Sequence, residues 1–384
     1  MAAAASRSLY TEEEQGAAFV ELFFDLVFVF AITQVTSLVL NDLTLAGIGK
    51  AVLIFWMIWW GWTQFTWALN PANTDHATVR LWTLVAAGVA FIMAVSVGDA
   101  FGDGGLLFAG TYVAVRLIGL GLFYKISIEQ PELSASVRLF TLRSLGGLAL
   151  AILGGFMAPE LRVWIWLGVV LLDMWASGTS GSRGGWDLHP GHFAERHGLF
   201  VIIALGESLV AAGVAASHQD LTTPLLLVAL GAVSVSCLLW WSYFGWLKEG
   251  LERALRSKKG SGQSILARNA YSLVHFPLVV GVIAIAVGVE EMVAHPTDPL
   301  HTGPLAAFAS GIVLFVGAAA VAWLIASGKM LWKRVTIAIA TAIALLLLPT
   351  AMPLWVLGIT SVALLIILVV EFSRCTEPVA HGAE

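Results

Sequence analysis

The stretch that decides the fold is VELFFDLVFVFAITQ, residues 20–34. It is an unbroken apolar run that carries two carboxylates, Glu21 and Asp25, at its front edge. Runs of this kind, many longer than 18 residues, recur to the C-terminus and show none of the period-two alternation of barrel strands. Only 12% of the 384 residues are charged and 59% are hydrophobic. Soluble domains carry roughly 25% charged residues. The mean hydropathy is +0.87. The chain is therefore all-α, a polytopic transmembrane helix bundle. Its 16 tryptophans suit the aromatic belts of membrane interfaces. Cys237 and Cys375 show neither metal nor disulfide spacing. MAAAASRSLYTEEEQ has no signal-peptide pattern, so the first helix is expected to direct insertion.

Turn residues and charges divide the apolar sequence into twelve predicted spans: 18–40, 46–69, 80–98, 105–124, 139–157, 161–178, 196–216, 222–246, 265–290, 304–327, 332–349 and 353–372. Of the 20 lysines and arginines, all but Lys50, Arg116 and Arg162 fall at the termini or in the even-numbered connections with their flanking helix ends. That asymmetry places both termini in the cytoplasm. A miscount by one helix would scramble it.

The halves resemble each other. Aligned on Glu21 and Glu195, the first and seventh spans both run from an acid through apolar residues to polar groups, Thr33 and Gln34 or Glu207 and Ser208. The second and eighth spans carry tryptophan clusters, FWMIWWGW and LLWWSYFGW. The third and ninth begin at Arg80 and Arg268, and the sixth and twelfth end in Asp173 and Glu371. Six helices per copy predicts two parallel repeats related by an axis along the membrane normal. The expected organisation is a cytoplasmic segment 1–16, a first repeat 17–178, a cytoplasmic linker 179–190, a second repeat 191–374 and a cytoplasmic tail 375–384.

Charges within the spans are the candidate site. A carboxylate near the bilayer centre costs on the order of 3 kcal/mol or more. Glu21 and Asp25, four residues apart, share a helix face ~6 Å apart. Near a helix start they serve either as a dipole-stabilised cap tied to an arginine or as a cation or proton site. Asp25 is the deeper, and Phe28, Ile32 and Thr36 continue its face. The natural basic partners are Arg196 and Arg80. The second constellation is WDLHPGHFAERHGLFVIIALGESLVAAG, 186–213. Here Glu195, Arg196 and His197 open the seventh span, and Glu207 with Ser208 lies about three turns on, roughly 16 Å from Arg196. Glu207 is either functional, paired with an arginine such as Arg116 or Arg143, or a neutral buried acid. His275, beside Pro277, is either a proton relay or a packed histidine. His189, His192 and His197 form only a weak candidate metal set, because Pro190 and Gly191 keep them off one helix. The basic loop 248–263 either touches anionic headgroups or obeys the positive-inside rule. Walker A, dinucleotide-glycine, G-x-S-x-G and zincin patterns are absent, and no cofactor is implied.

ELFFDLVFVFAITQ and HFAERHGLFVIIALGESL resemble the two signature stretches of the bacterial low-temperature-requirement A family, over roughly residues 17–372. That resemblance implies a bacterial cytoplasmic (inner) membrane protein and supplies topology rather than a reaction. More distantly, Phe23, Phe24, Asp25, Phe28, Ala31, Ile32 and Thr33 resemble the first-helix motif of the endolysosomal potassium-channel family. Phe24 replaces that family's serine, Glu21 replaces its arginine, and Gly198 and Leu199 stand where the second repeat would carry Ser-Asp. Three functions remain open. One is a transporter or channel moving a small solute or ion, with proton or cation coupling, through a cavity lined by the first and seventh helices. The others are a membrane-embedded enzyme acting on a lipid-like substrate and a stress-response protein without turnover. Expected partners are lipids and the small solute or ion, with no nucleic acid; a homodimer is left open.

Overall fold

A computed structural model describes residues 8–180, 188–217 and 219–375. The segments 1–7 and 376–384, and most of the expected linker at 181–187, lie outside the described residues. The described chain is helical apart from one isolated bridge, Tyr10 with Ala72. In order the helices are α1 (Phe19–Asn41), α2 (Leu45–Leu69), α3 (Ala77–Val95), α4 (Gly105–Ser127), α5 (Pro131–Phe156), α6 (Pro159–Ser180) and α7 (Pro190–Ser217). They continue as α8 (Thr223–Phe244), α9 (Leu247–Arg256), α10 (Gly260–Leu266), α11 (His275–Ala294), α12 (Thr302–Ser327), α13 (Trp332–Leu346) and α14 (Pro353–Cys375). A π-helical turn, Ala267–Leu273, joins α10 to α11.

Eleven of these segments are long and apolar enough to cross a membrane, counting α8 with α9 and α10 with α11 as one each. The predicted span at 332–349 is present as a helix, shorter than the other eleven. α13 has 15 residues, about 22 Å at 1.5 Å per residue, short of a hydrocarbon core ~30 Å thick. Other helices start earlier than expected. α5 begins at Pro131 and α7 at Pro190 rather than at 139 and 196. Proline is well suited to a first helical position, where its missing N–H would have no partner. The charges taken as span edges, Arg138 and Arg196, are carried inside helices.

Packing divides the chain into two compact units. The first comprises the described residues up to Ala204 together with Leu251–Phe276; the second comprises Leu205–Gly250 and the rest from Pro277. The boundary falls within α7.

In the first unit α2 is the central helix, buried around nearly its whole circumference, as a helix apolar on all sides must be. The tryptophans divide accordingly. Trp56, Trp59, Trp60 and Trp62 are buried on α2, and Trp166 on α6, while Trp164, Trp332 and Trp355 are more than 65% exposed. Belt positions describe only the second group. Three indoles place their N–H groups on acceptors: Trp59 Nε1 on the Ser272 carbonyl (2.7 Å), Trp67 Nε1 on Ser272 Oγ (2.9 Å) and Trp166 Nε1 on the Ala151 carbonyl (3.0 Å). Arg162, one of the three basic residues outside the positive-inside pattern, is buried. It donates to the carbonyls of Ala100, Gly102, Gly154 and Met157 at 2.7–3.1 Å. It closes the turns before α4 and α6, so its charge is spent on backbone oxygens.

Residues 8–18 run across the end of α2. The Thr11 N–H donates to the Pro71 carbonyl (3.0 Å), and the Asn73 N–H donates to the Leu9 carbonyl (2.8 Å). Further on, Glu14 accepts from the Gly191 N–H (2.5 Å) and from Arg256 (2.7 Å).

In the second unit α11 and α12 meet backbone to backbone. A Cβ at Gly311 would stand 2.6 Å from the Gly281 oxygen, and one at Gly281 would stand 2.8 Å from the Gly311 oxygen. Such close approach through small residues is a favoured mode of helix association in membranes. α14 packs on α8 and on α13. There Arg334 of α13 pairs with Glu371 of α14 at 3.2 Å and donates to Ser242 Oγ, and Trp246 Nε1 donates to Glu371 at 2.9 Å.

Candidate functional site

The buried face of α1 carries Glu21, Phe24, Asp25, Phe28, Ile32, Val35, Thr36 and Val39, the three-and-four spacing of one helix stripe. Its two acids meet the start of α7. Arg196 Nη1 donates to Glu21 Oε1, and Arg196 Nη2 donates to Asp25 Oδ1 at 2.7 Å. All three side chains are fully buried. Glu21 Oε2 accepts the Ala18 N–H at 2.9 Å, capping α1. Asp25 Oδ1 also accepts Trp62 Nε1 at 2.7 Å, and the Arg196 guanidinium lies 5.8 Å from the Trp62 ring centre.

His192 completes the cluster, and its tautomer follows from its neighbours. Asn70 bridges the backbone at the start of α7: its Oδ1 accepts the His189 N–H (2.9 Å) and its Nδ2 donates to the His189 carbonyl (3.0 Å). That orientation turns the Asn70 Nδ2 toward His192 Nδ1 at 3.2 Å, so Nδ1 accepts. The His192 proton then sits on Nε2, which donates to Glu21 Oε2 at 3.0 Å. A neutral imidazole, two carboxylates and one guanidinium leave the cluster one positive charge short. Two atoms remain without a partner among the described residues: Asp25 Oδ2 and Arg196 Nε, both buried.

Around the cluster lies an aromatic box. His197 packs edge-on against Trp62 (5.1 Å between centres), with Phe193 at 4.6 Å and Tyr271 at 5.2 Å. His197 Nδ1 donates to the Phe193 carbonyl (2.9 Å), which leaves its buried Nε2 a bare acceptor among the described residues. His275 stacks on Tyr271 at 5.2 Å, donates to the Ala270 carbonyl (2.9 Å) and lies 5.5 Å from the His197 ring.

The other expected site residues are distributed differently. Glu195 is half-buried and accepts the Ala17 N–H at 3.0 Å, tying the segment before α1 to α7. Arg80 does not join the acids. It is exposed, pairs with Asp75 and donates to the Thr74 carbonyl, because its own helix start offers a closer carboxylate. Arg116 belongs with Asp173 rather than with Glu207. Its Nη1 lies 3.1 Å from Asp173 Oδ1, its Nε donates to Gln64, and Tyr112 donates to Asp173 Oδ2 at 3.2 Å. Arg143, half-buried, lies over Trp175 at 5.1 Å. Gln34 is half-buried on α1. Glu207 and Ser208 are buried in the second unit, where Ser208 lies 3.1 Å from Ser236. The three-histidine metal set is not assembled: among the described residues no group of three His, Cys, Asp or Glu could hold an ion. His192 and His197 are five residues apart on α7, about 140° around the helix, and so face different neighbours.

Trp62 and Asn70 are the members that sequence reading missed. Trp62 was hidden in an apparent belt cluster, and Asn70 in what reads as a helix-ending turn.

The model of the family described as Bacterial low temperature requirement A protein (LtrA) matches residues 16–370. The chain belongs to the low-temperature-requirement A family. A curated relative, described as "Uncharacterized protein RA0937" of Rhizobium meliloti (strain 1021), is 32% identical over 297 residues, covering 74% of this chain and 71% of the relative. No solved structure matches, and the potassium-channel resemblance finds no support in these comparisons. In this LtrA chain the family match runs from just before α1 into α14, so it takes in both α1 acids and Arg196.

Proposed function

We propose that this LtrA protein is a secondary transporter of a small solute or ion in the bacterial inner membrane, with both termini cytoplasmic, and that Asp25 is the group which takes up the coupling proton or cation. The observation that carries this reading is the buried, unpartnered Asp25 Oδ2 in a cluster holding two carboxylates and one guanidinium. An uncompensated charge away from water is expensive. A proton on Oδ2 removes the excess negative charge without disturbing the bonds that Oδ1 accepts from Trp62 and Arg196. A small cation at Oδ2 does the same. Losing that proton or ion then restores the excess charge, and the cluster can accommodate it by parting α1 from Arg196 or by admitting water. A buried acid with two charge states and a helix–helix ion pair that responds to them is the minimum device for coupling. Glu21 lacks this freedom, because both its oxygens are occupied.

Purified protein reconstituted in liposomes tests the proposal. A panel of solutes is offered under an imposed pH or sodium gradient, with an internal pH dye and radiolabelled uptake as readouts. Gradient-driven uptake should be lost in Asp25→Asn and largely retained in Glu21→Gln. In parallel, infrared difference spectra between acid and alkaline buffer should contain a carboxylic-acid band that Asp25→Asn removes. Uptake by Asp25→Asn equal to wild type would refute the assignment, and a spectrum unchanged by that substitution would assign the coupling to a cation rather than a proton.

A further inference from the structure

The first unit contains a cavity of about 360 Å³ that shares no residue with the acid–arginine cluster. Ligand pockets typically run from ~300 to 1,000 Å³ and combine apolar walls with a few convergent polar groups. Four aromatic rings make the walls: Trp60 and Trp67 of α2, Phe123 of α4 and Phe140 of α5. The π-helical turn brings Arg268 and Ser272 to the lining, and Ser264 of α10 adds a hydroxyl. π-Turns are frequently found at functional sites.

Among the described residues the charge here is unbalanced. The buried arginines Arg116, Arg196 and Arg334 each face a carboxylate, and Arg162 is spent on carbonyls. Arg268 has no facing carboxylate among the described residues and reaches a single carbonyl. Its Nε donates to the Asn269 side chain (2.9 Å) and its Nη1 reaches the Ser177 carbonyl at 3.3 Å. Among the described residues it pairs with no carboxylate and no acid lines the cavity. A second polar group is also left over: the Thr63 hydroxyl lines the cavity, is 2% exposed and has no partner among the described residues. A guanidinium with free N–H groups favours a carboxylate or phosphate. Aromatic walls favour an apolar body.

We propose that this cavity binds an amphipathic monoanion, with its carboxylate or phosphate on Arg268, its apolar body among the four rings, and a hydrogen bond to Thr63. That chemistry occurs in free organic acids and in lipid-borne acids alike.

Titration calorimetry of the full chain in nanodiscs decides the matter. The probes are 2-naphthoate as a water-soluble acid, 2-naphthamide as its neutral counterpart, and oleate as a lipid-borne acid. Saturable binding of 2-naphthoate should exceed that of 2-naphthamide and weaken about tenfold or more in Arg268→Gln, the scale of one charge-assisted hydrogen bond. Arg268→Lys should restore part of it, and Thr63→Val should weaken both aromatic probes. Ser261→Trp, at an exposed lining position, should block binding without touching the core, which keeps the test informative if Arg268→Gln misfolds. Binding of oleate alone, with the same dependence on Arg268 and Ser261, supports the site and assigns it to lipid. Equal binding of acid and amide, binding indifferent to both Arg268→Gln and Ser261→Trp, or no binding by any probe overturns the proposal.

Discussion

Arg196→Gln is the sharpest perturbation of the cluster. It removes the cation that pairs with both Glu21 and Asp25, which are fully buried. Breaking a buried ion pair by deleting one partner costs about 3–5 kcal/mol, because the remaining charge is left uncompensated. Two carboxylates are stranded here, which pushes toward the upper end. His192 still donates to Glu21 and Trp62 still donates to Asp25, and one acid can take a proton, which pulls the other way. The expected loss is therefore about 3–5 kcal/mol in unfolding free energy. Equilibrium unfolding in mixed detergent and SDS measures it, with tryptophan fluorescence as the signal, since Trp59 and Trp62 are buried beside the cluster. The triple variant Glu21→Gln, Asp25→Asn, Arg196→Gln removes all three charges and should recover most of that loss, since neutral replacements of a buried ionic group are often tolerated. A single variant that loses less than about 1 kcal/mol, the range of an exposed pair, would refute the reasoning. A triple variant less stable than the single one would refute it as well.

Asp173→Asn strands Arg116 in the same way and should cost about 3–5 kcal/mol, softened by Gln64 and Tyr112; the same unfolding assay reads it. Gly311→Leu forces a side chain onto the Gly281 backbone and should lose about 1–3 kcal/mol or fail to assemble. Gly317→Leu, with open space at its Cβ, should fall within about 0.5 kcal/mol of wild type; SDS-resistance curves compare the two. Glu14 is opposed by partial burial, which raises its pKa, but the hydrogen bonds from Arg256 and from the Gly191 N–H prevail and hold it below its ordinary value of 4.5. A depressed carboxyl pKa stabilises the folded chain above 4.5 and loses that contribution as pH falls through the lower folded value. Glu14→Gln should therefore lower the melting temperature at pH 7 and converge on wild type in acid. A difference that grows on acidification would contradict this sign.

Much of the candidate site could be read from residue order, though its connections could not. Glu21, Asp25 and Arg196 stand out because charge is rare inside apolar runs, and the four-residue spacing of the acids places them on one face of α1. Which arginine reaches them is not a matter of spacing. Arg80 and Arg196 both open helices at the end expected to be cytoplasmic, and only the packed structure separates an arginine held by Asp75 from one held by two buried acids. Arg116 and Asp173 are 57 residues apart, and their pairing depends on how α4 and α6 are oriented side by side. His192, placed in a candidate metal set by its spacing, is a hydrogen-bond donor to Glu21 because Asn70 fixes its tautomer.

Residue order was enough to show that this chain is a bundle of membrane helices, roughly where each lies, and which charges fall within them. The reason is that hydrocarbon solvates neither backbone nor charge, so every spanning segment must satisfy its own hydrogen bonds as a helix and must announce itself by composition. The folded structure alone shows that α13 is shorter than the other predicted spans, that the α2 tryptophans form a core rather than a belt, and that, among the described residues, Arg268 faces a cavity without an acid and Asp25 keeps one oxygen bare. Depth in the membrane is written along the chain. Lateral neighbours are chosen by side-chain packing between helices distant in sequence, and no local pattern records that choice.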